Sequence, residues 1–264
     1  MRGILTFACA AALGLAALTF GPGEAGAQQM KKVKIGTEGA YAPFNFIDAN
    51  KQLQGFDIEI AKALCAAAKY DCEFVVQDWD GIIPGLVAKK YDAIIASMSI
   101  TEERKKVVDF TERYYKTPAR FVRKSGSKIE ITDAGLKGKK VGVQRATIHE
   151  NFLNDKYAKI VEVRSYATQD EANLDMVSGR IDLLLADSVV LSEGFLKTAQ
   201  GKGFEFVGPD FVDQKWFGDG AGIAVRKGDK DLREALNKAI RQIRTDGTYK
   251  KINDKYFTFD AYGK

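Results

Sequence analysis

Apolar positions along the chain alternate between short continuous runs and stretches of helical period, the pattern of a parallel sheet with helices on its faces. Residues 33–37 are predicted to form a first strand, and 37–46 a loop carrying Glu38, Tyr41 and Pro43. Asp57 is placed to cap an amphipathic helix through Ala67, and 72–76 follow as a second strand. A turn at 77–81 holds Trp79, a short helix covers 82–89, and Ala93-Ile94-Ile95-Ala96 reads as a buried third strand. These elements make a βαβαβ unit.

A second unit echoes the first. Lys140-Val141-Gly142-Val143 repeats Lys34-Ile35-Gly36, and 180–187 repeat 90–97, so Asp187 takes the strand-end place of Ser97. Between them Thr168 and Glu171 form a capping box, and Gly179 closes the helix they open. The aromatic-rich stretch 108–123 reads as an extended crossing between the units, and the glycine-rich 218–225 as a returning strand. Leu232, Leu236, Ala239, Ile240 and Ile243 then form one face of a helix ended by Gly247. Pro is sparse and no Ser/Gly linker occurs. The expectation is two α/β lobes joined by ordered hinge strands, with 28–116 and 220–264 in one lobe and 117–219 in the other.

Candidate chemistry concentrates in residues 91–104. Ser97 and Ser99 lie between the end of a buried strand and a helix start marked by Thr101, Glu102 and Glu103. Open α/β sheets place ligands there, with free backbone N–H groups available to an anion. Arg104 in the first helical turn would oppose the helix dipole by roughly 0.3–1 kcal/mol, which a bound carboxylate would explain. An ion pair with a neighbouring surface glutamate is the alternative.

The first 27 residues change the picture: Arg2, an apolar run over 4–20 and Ala25-Gly26-Ala27 predict a cleaved export signal, with the mature chain starting at Gln28. Cys9 lies inside the apolar run and is not placed for a lipid anchor. No later run approaches the roughly 20 apolar residues of a membrane span, so an exported, soluble product is expected. Arg2 and Glu24 cancel, leaving the formal charge at +5. The basic residues come in twos and threes among many acids, a mixed surface that does not point to nucleic acid. Cys65 and Cys72 remain and are most simply a disulfide in an oxidising compartment. A metal or redox pair lacks partners, because His149 is the only histidine and is itself expected to be a surface or packing residue.

Six further motifs carry a resemblance. They are Thr37-Glu38-Gly39-Ala40-Tyr41-Ala42-Pro43-Phe44, Gly55-Phe56-Asp57, Gln77-Asp78-Trp79-Asp80-Gly81-Ile82-Ile83-Pro84, Ser97-Met98-Ser99-Ile100-Thr101, Ser192-Glu193-Gly194-Phe195 and Trp216-Phe217-Gly218-Asp219-Gly220. Together they resemble the periplasmic polar-amino-acid-binding proteins of ABC importers, most of all the lysine/arginine/ornithine-binding and histidine-binding proteins. The likeness spans residues 33–263 and includes the Cys65–Cys72 pair. It implies a two-lobe, type II binding-protein fold, each lobe a mostly parallel sheet flanked by helices. It also implies a role for each site residue. Arg104, Ser99 and the backbone around Thr147 would hold an α-carboxylate, and Asp187, Ser97 and nearby carbonyls an α-ammonium. Tyr41 and Trp79 would sandwich the side chain, and Glu38 would meet a distal positive charge. Two positions depart from the family: Ala96 replaces a serine, and Ile148 replaces a hydroxyl residue, leaving only its N–H for a contact.

The residues also admit plainer roles: the aromatics as core, Glu38 as a turn cap and Asp187 as a helix N-cap. The charges favour a cationic ligand. Arg104 against Glu38 and Asp187 gives the site a net charge of −1, which a cationic amino acid neutralises. The expectation is therefore a monomeric periplasmic binding protein, with no enzymatic activity, cofactor or metal. It would deliver arginine, lysine, ornithine or histidine to an ABC permease. The alternatives are an opine or other guanidino compound as ligand, or an enzyme resembling cyclohexadienyl or arogenate dehydratase with Glu38 as its acid.

Overall fold

The computed structural model describes residues 30–263, so the export signal expected over 1–27 lies outside the described residues. Strand β1 (Lys31–Thr37) leads into a small antiparallel sheet of β2 (Ala40–Tyr41), β3 (Asn45–Ile47) and β4 (Leu53–Gln54). That sheet turns the expected loop around Glu38 and Tyr41 into an ordered ledge. Helix α1 (Phe56–Ala68) leads to β5 (Tyr70–Val76), α2 (Trp79–Val87) to β6 (Ala93–Ile94), and the single turn α3 (Glu102–Lys105) to β7 (Val108–Tyr115). Lys116, Thr117 and Pro118 then cross to β8 (Ala119–Lys124).

The second lobe continues with α4 (Asp133–Leu136), β9 (Lys140–Gln144), α5 (Ile148–Tyr157), β10 (Glu162–Tyr166), α6 (Gln169–Val177) and β11 (Leu183–Asp187). A π-helical turn at Val190–Leu196 precedes β12 (Phe204–Phe211) and α7 (Gln214–Phe217). Strand β13 (Ala221–Arg226) brings the chain back to the first lobe, which α8 (Lys230–Thr245) and α9 (Thr248–Tyr256) complete.

The first sheet has the order β5-β1-β6-β13-β7 and the second β10-β9-β11-β8-β12. In each, one strand runs against the rest: β13 in the first and β8 in the second. The reason is topological. The other strands end at the cleft between the lobes, and a chain arriving from the opposite lobe must run away from that cleft. Separate apolar clusters fill the two lobes, one around Phe44, Phe56 and Ile240, the other around Phe121, Phe152 and Leu183.

The internal echo extends to side chains. Asp92 Oδ2 accepts from the Lys34 N–H at 2.9 Å and Asp182 Oδ2 from the Lys140 N–H at 2.8 Å, at matching places in the two lobes. A Cβ at Gly36 would lie 2.6 Å from the Tyr91 ring, and one at Gly142 would lie 2.4 Å from Ile181, so each glycine makes room for the residue before the acid. Cys65 and Cys72 form a disulfide that ties α1 to β5.

Three local expectations are corrected. Asp57 does not cap α1: Gly55 holds the N-cap at φ 122°, and the Asp57 side chain turns inward to full burial. There its carboxylate accepts from Asn45 (2.8 Å), Ser97 Oγ (2.9 Å) and the Tyr114 hydroxyl (2.8 Å). Trp79 begins a helix instead of sitting in a turn, because with Ile82 and Leu86 it puts one apolar face of α2 against the cluster that holds Tyr91 and Ile94. The dipole argument for Arg104 also lapses. Thr101 caps α3 as predicted, but α3 is one turn long and Arg104 belongs equally to its last turn.

Candidate ligand-binding cleft

The cleft is built from strand ends. From the first lobe come Glu38 and Tyr41 after β1, Trp79 opening α2, and Ser97 and Ser99 after β6; from the second come Gln144, Thr147, Ile148 and Asp187 at the ends of β9 and β11. Two adjoining cavities share Tyr41, Ser97, Ser99, Ile148 and His149; one adds Glu38, Trp79, Arg104 and Thr147, the other Asp187, Tyr115 and Thr117. All nine residues nominated for ligand binding therefore line one region between the lobes.

Arg104 lines the cavity that Glu38 and Trp79 also line. Its guanidinium donates to the Ser99 carbonyl (3.0 Å) and the Ala146 carbonyl (3.4 Å) and lies 5.2 Å from the Trp79 ring centroid. The neighbouring glutamates are committed elsewhere, Glu102 to Lys105 and Glu103 to Lys106, which removes the surface-pair reading. Among the described residues no carboxylate pairs with Arg104, and burial lowers its pKa to about 10. A desolvated cation held only by neutral carbonyls is suited to an incoming anion. Beside it α5 begins, and its first N–H groups, those of Ile148 and His149, have no partner within the helix. The Thr147 hydroxyl is spent: it donates to Gln144 O (2.6 Å) and caps α5 through the Glu150 N–H (3.3 Å).

In the same cavity Glu38 is nearly buried, and its Oε1 accepts from Gln144 Nε2 at 2.5 Å. Burial raises its pKa to about 7, opposed by that hydrogen bond and reinforced by Asp170, Asp78 and Asp80. Asp187 closes the second cavity. Its Oδ1 accepts from the N–H groups of Val189 (2.8 Å) and Val190 (3.4 Å), and its Oδ2 from the Thr117 hydroxyl, so it does cap the turn that follows β11. Burial raises it to about 6 despite these bonds. The Ser97 hydroxyl donates to Asp57, which burial also raises to about 6. Tyr41 is buried and stacks on Phe44 at 6.3 Å, a core contact as well as a cleft wall.

Some cleft residues escaped the sequence. His149 is buried, packs toward Phe217 and is held neutral, with its pKa lowered to about 3 by burial and by the charge of Arg104. It is a wall of both cavities as well as a packing residue. Gln144 ends β9, so the strand-end rule that selected Ser97 and Asp187 selects it too. Thr117 and Asp57 act through their bonds to Asp187 and Ser97; no local sequence signal marks Thr117, and the one at Asp57 points to a helix cap instead.

Consecutive residues of the β9–α5 corner bridge the lobes. Gln144 bonds Glu38, Arg145 pairs with Asp80, and the Ala146 carbonyl accepts from Arg104 and from Trp79 Nε1 (3.2 Å).

Two α/β lobes shut by such bonds over a cleft lined by charges of both signs define a solute-binding protein of the periplasmic type II fold. The chain belongs to the bacterial extracellular solute-binding proteins, family 3, which it matches over residues 33–259. It is 52% identical to the L-arginine-binding protein of Pseudomonas aeruginosa over 234 residues, 88% of this chain and 90% of that one. The histidine-binding periplasmic protein of Salmonella typhimurium is 48% identical, with the same shares covered. Among solved structures, a Salmonella typhimurium periplasmic binding protein described for its high arginine specificity aligns with a TM-score of 0.80 at 33% identity, covering 86% of this chain and 100% of that one.

Proposed function

We propose that this chain captures a cationic amino acid between its lobes and delivers it to an ABC permease from the periplasm, as a monomer and without a chemical step. The observation that carries the reading is the charge set of the cleft: an Arg104 cation with no carboxylate partner among the described residues, and, lining the same cavity, Glu38 with Asp78, Asp80 and Asp170 near it. The relatives named above bind arginine and histidine, in keeping with it.

In this reading Arg104, Ser99 and the N–H groups that open α5 hold the ligand α-carboxylate, the last through the helix dipole. Asp187 and backbone carbonyls near Ser97 hold the α-ammonium. Tyr41 and Trp79 flank the aliphatic stem, each aromatic face adding about 0.5–2 kcal/mol against a cation. Glu38 neutralises the distal charge. Its oxygen is desolvated, so a neutral side chain there would leave the acid without a counterion and hold it protonated. The inter-lobe bonds made by residues 144–146 favour the closed form that a permease would receive.

The test is calorimetric titration of protein that has been unfolded and refolded to strip carried-over ligand, using L-arginine, L-lysine, L-histidine and L-glutamine. Tight binding of the cationic ligands is expected, and Glu38→Gln should weaken arginine binding by roughly 10- to 100-fold. Preference for glutamine, or equal arginine affinity in the variant, would overturn the reading. Silence toward all four would also overturn it and move the search to guanidino opines and to prephenate or arogenate turnover.

A further inference from the structure

Gln144 donates both amide hydrogens to fixed acceptors: Nε2 lies 2.5 Å from Glu38 Oε1 and 3.1 Å from the Ala167 carbonyl. Two acceptors around one atom identify that atom as the nitrogen, so the amide orientation is set by its surroundings. The residue is 3% exposed, and its backbone is locked in the β9–β10 ladder opposite Tyr166. Two acceptors are left over. Among the described residues neither the Gln144 side-chain oxygen Oε1 nor Glu38 Oε2 takes a hydrogen bond, and both residues line the same cavity.

We propose that Gln144 is a specificity-determining residue: its side-chain carbonyl and the free oxygen of Glu38 form a two-acceptor end wall that selects a guanidinium over an ammonium. The inference rests on the reading of a cationic amino-acid ligand and names the member of that class which fits. A guanidinium carries its N–H groups in a rigid planar fork and needs more than one acceptor at a fixed place. An ammonium is a compact charge whose three rotatable donors satisfy themselves around the Glu38 carboxylate. The wall is pre-organised, because turning the amide to offer its NH2 would break two hydrogen bonds, one of them to a carboxylate.

The test measures dissociation constants for L-arginine and L-lysine on refolded wild type, Gln144→Met and Gln144→Leu, with melting curves as a check on folding. The wild type is expected to prefer arginine. Losing the inter-lobe bond to Glu38 lowers both affinities alike, but both variants should lose roughly 10-fold or more affinity for arginine beyond what they lose for lysine, so the preference collapses. A merely structural role would lower both affinities together and leave their ratio unchanged, which would overturn the proposal. So would a wild type that binds lysine as tightly as arginine, a result that needs no variant to fold. Failure of the wild type to bind either would be visible before any substitution and would bring down the underlying functional reading with it.

Discussion

At the scale of single residues, the cleft holds its charges at a cost that a ligand would relieve. Arg104 is a partly buried guanidinium balanced only by carbonyl dipoles, so its presence does little for the fold. Arg104→Met is expected to leave the ligand-free melting temperature unchanged or raised while weakening amino-acid binding by more than about 100-fold, read by calorimetry alongside thermal unfolding. Glu38 gives a pH dependence of definite sign. Its pKa rises from 4.5 to about 7 by burial, so between those values the folded, ligand-free protein binds more protons than the unfolded chain. Stability of that form therefore falls as pH rises through the window. A cationic ligand pairs with the ionised acid, so the rise in melting temperature that saturating arginine produces should be larger at pH 8 than at pH 5. An equal shift at both values would contradict the placement of the ligand charge against Glu38.

At the scale of elements, the paired glycines of β1 and β9 show how the repeat was built. The Tyr91 ring occupies the space a Gly36 Cβ would need and cannot retreat, since its hydroxyl bonds the Ile82 carbonyl and the ring also lies against Gly85. Gly36→Ala should cost about 1–3 kcal/mol by overpacking in urea unfolding, and adding Tyr91→Leu should recover part of it. Strands β1, β5, β6, β9, β11 and β13, α8 and the capping box of α6 were legible because each rests on local pattern: apolar runs, helical period, and Thr168 three residues before Glu171; β2–β4, β10 and β12 carried no such run. The start of α2 was not legible, because it depends on Trp79 packing against the apolar cluster of Ile82, Tyr91 and Ile94, which only the folded sheet assembles. Asp57 misled for the same reason. Its side chain has a strong N-cap preference, but three donors waiting in the interior outbid the two orphan N–H groups a cap would satisfy.

At the scale of the molecule, closure depends on residues 144–146, which reach across the cleft from one strand-to-helix corner. Arg145→Ala removes an ion pair at the cleft rim, partly exposed on both sides, and should weaken ligand affinity only about 2- to 5-fold. The loss should appear mainly as faster release in stopped-flow measurements, because the pair holds the lobes shut after capture. An unchanged release rate would show that the pair does not hold the closed form.

The sequence by itself determined the two α/β units, their internal echo, the crossing and returning strands, and the strand-end positions where charge collects. These follow from periodicity and from residue types at element boundaries, information that is local in the chain. Only the tertiary structure decided how those charges are spent: that Arg104 meets no carboxylate among the described residues, that Asp187 and Thr147 also serve as caps, that His149 is buried neutral, and that the Gln144 side-chain amide bonds Glu38. Each of these is set by partners brought together across the two lobes, up to 106 residues apart in the case of Gln144 and Glu38, and no local pattern carries that information.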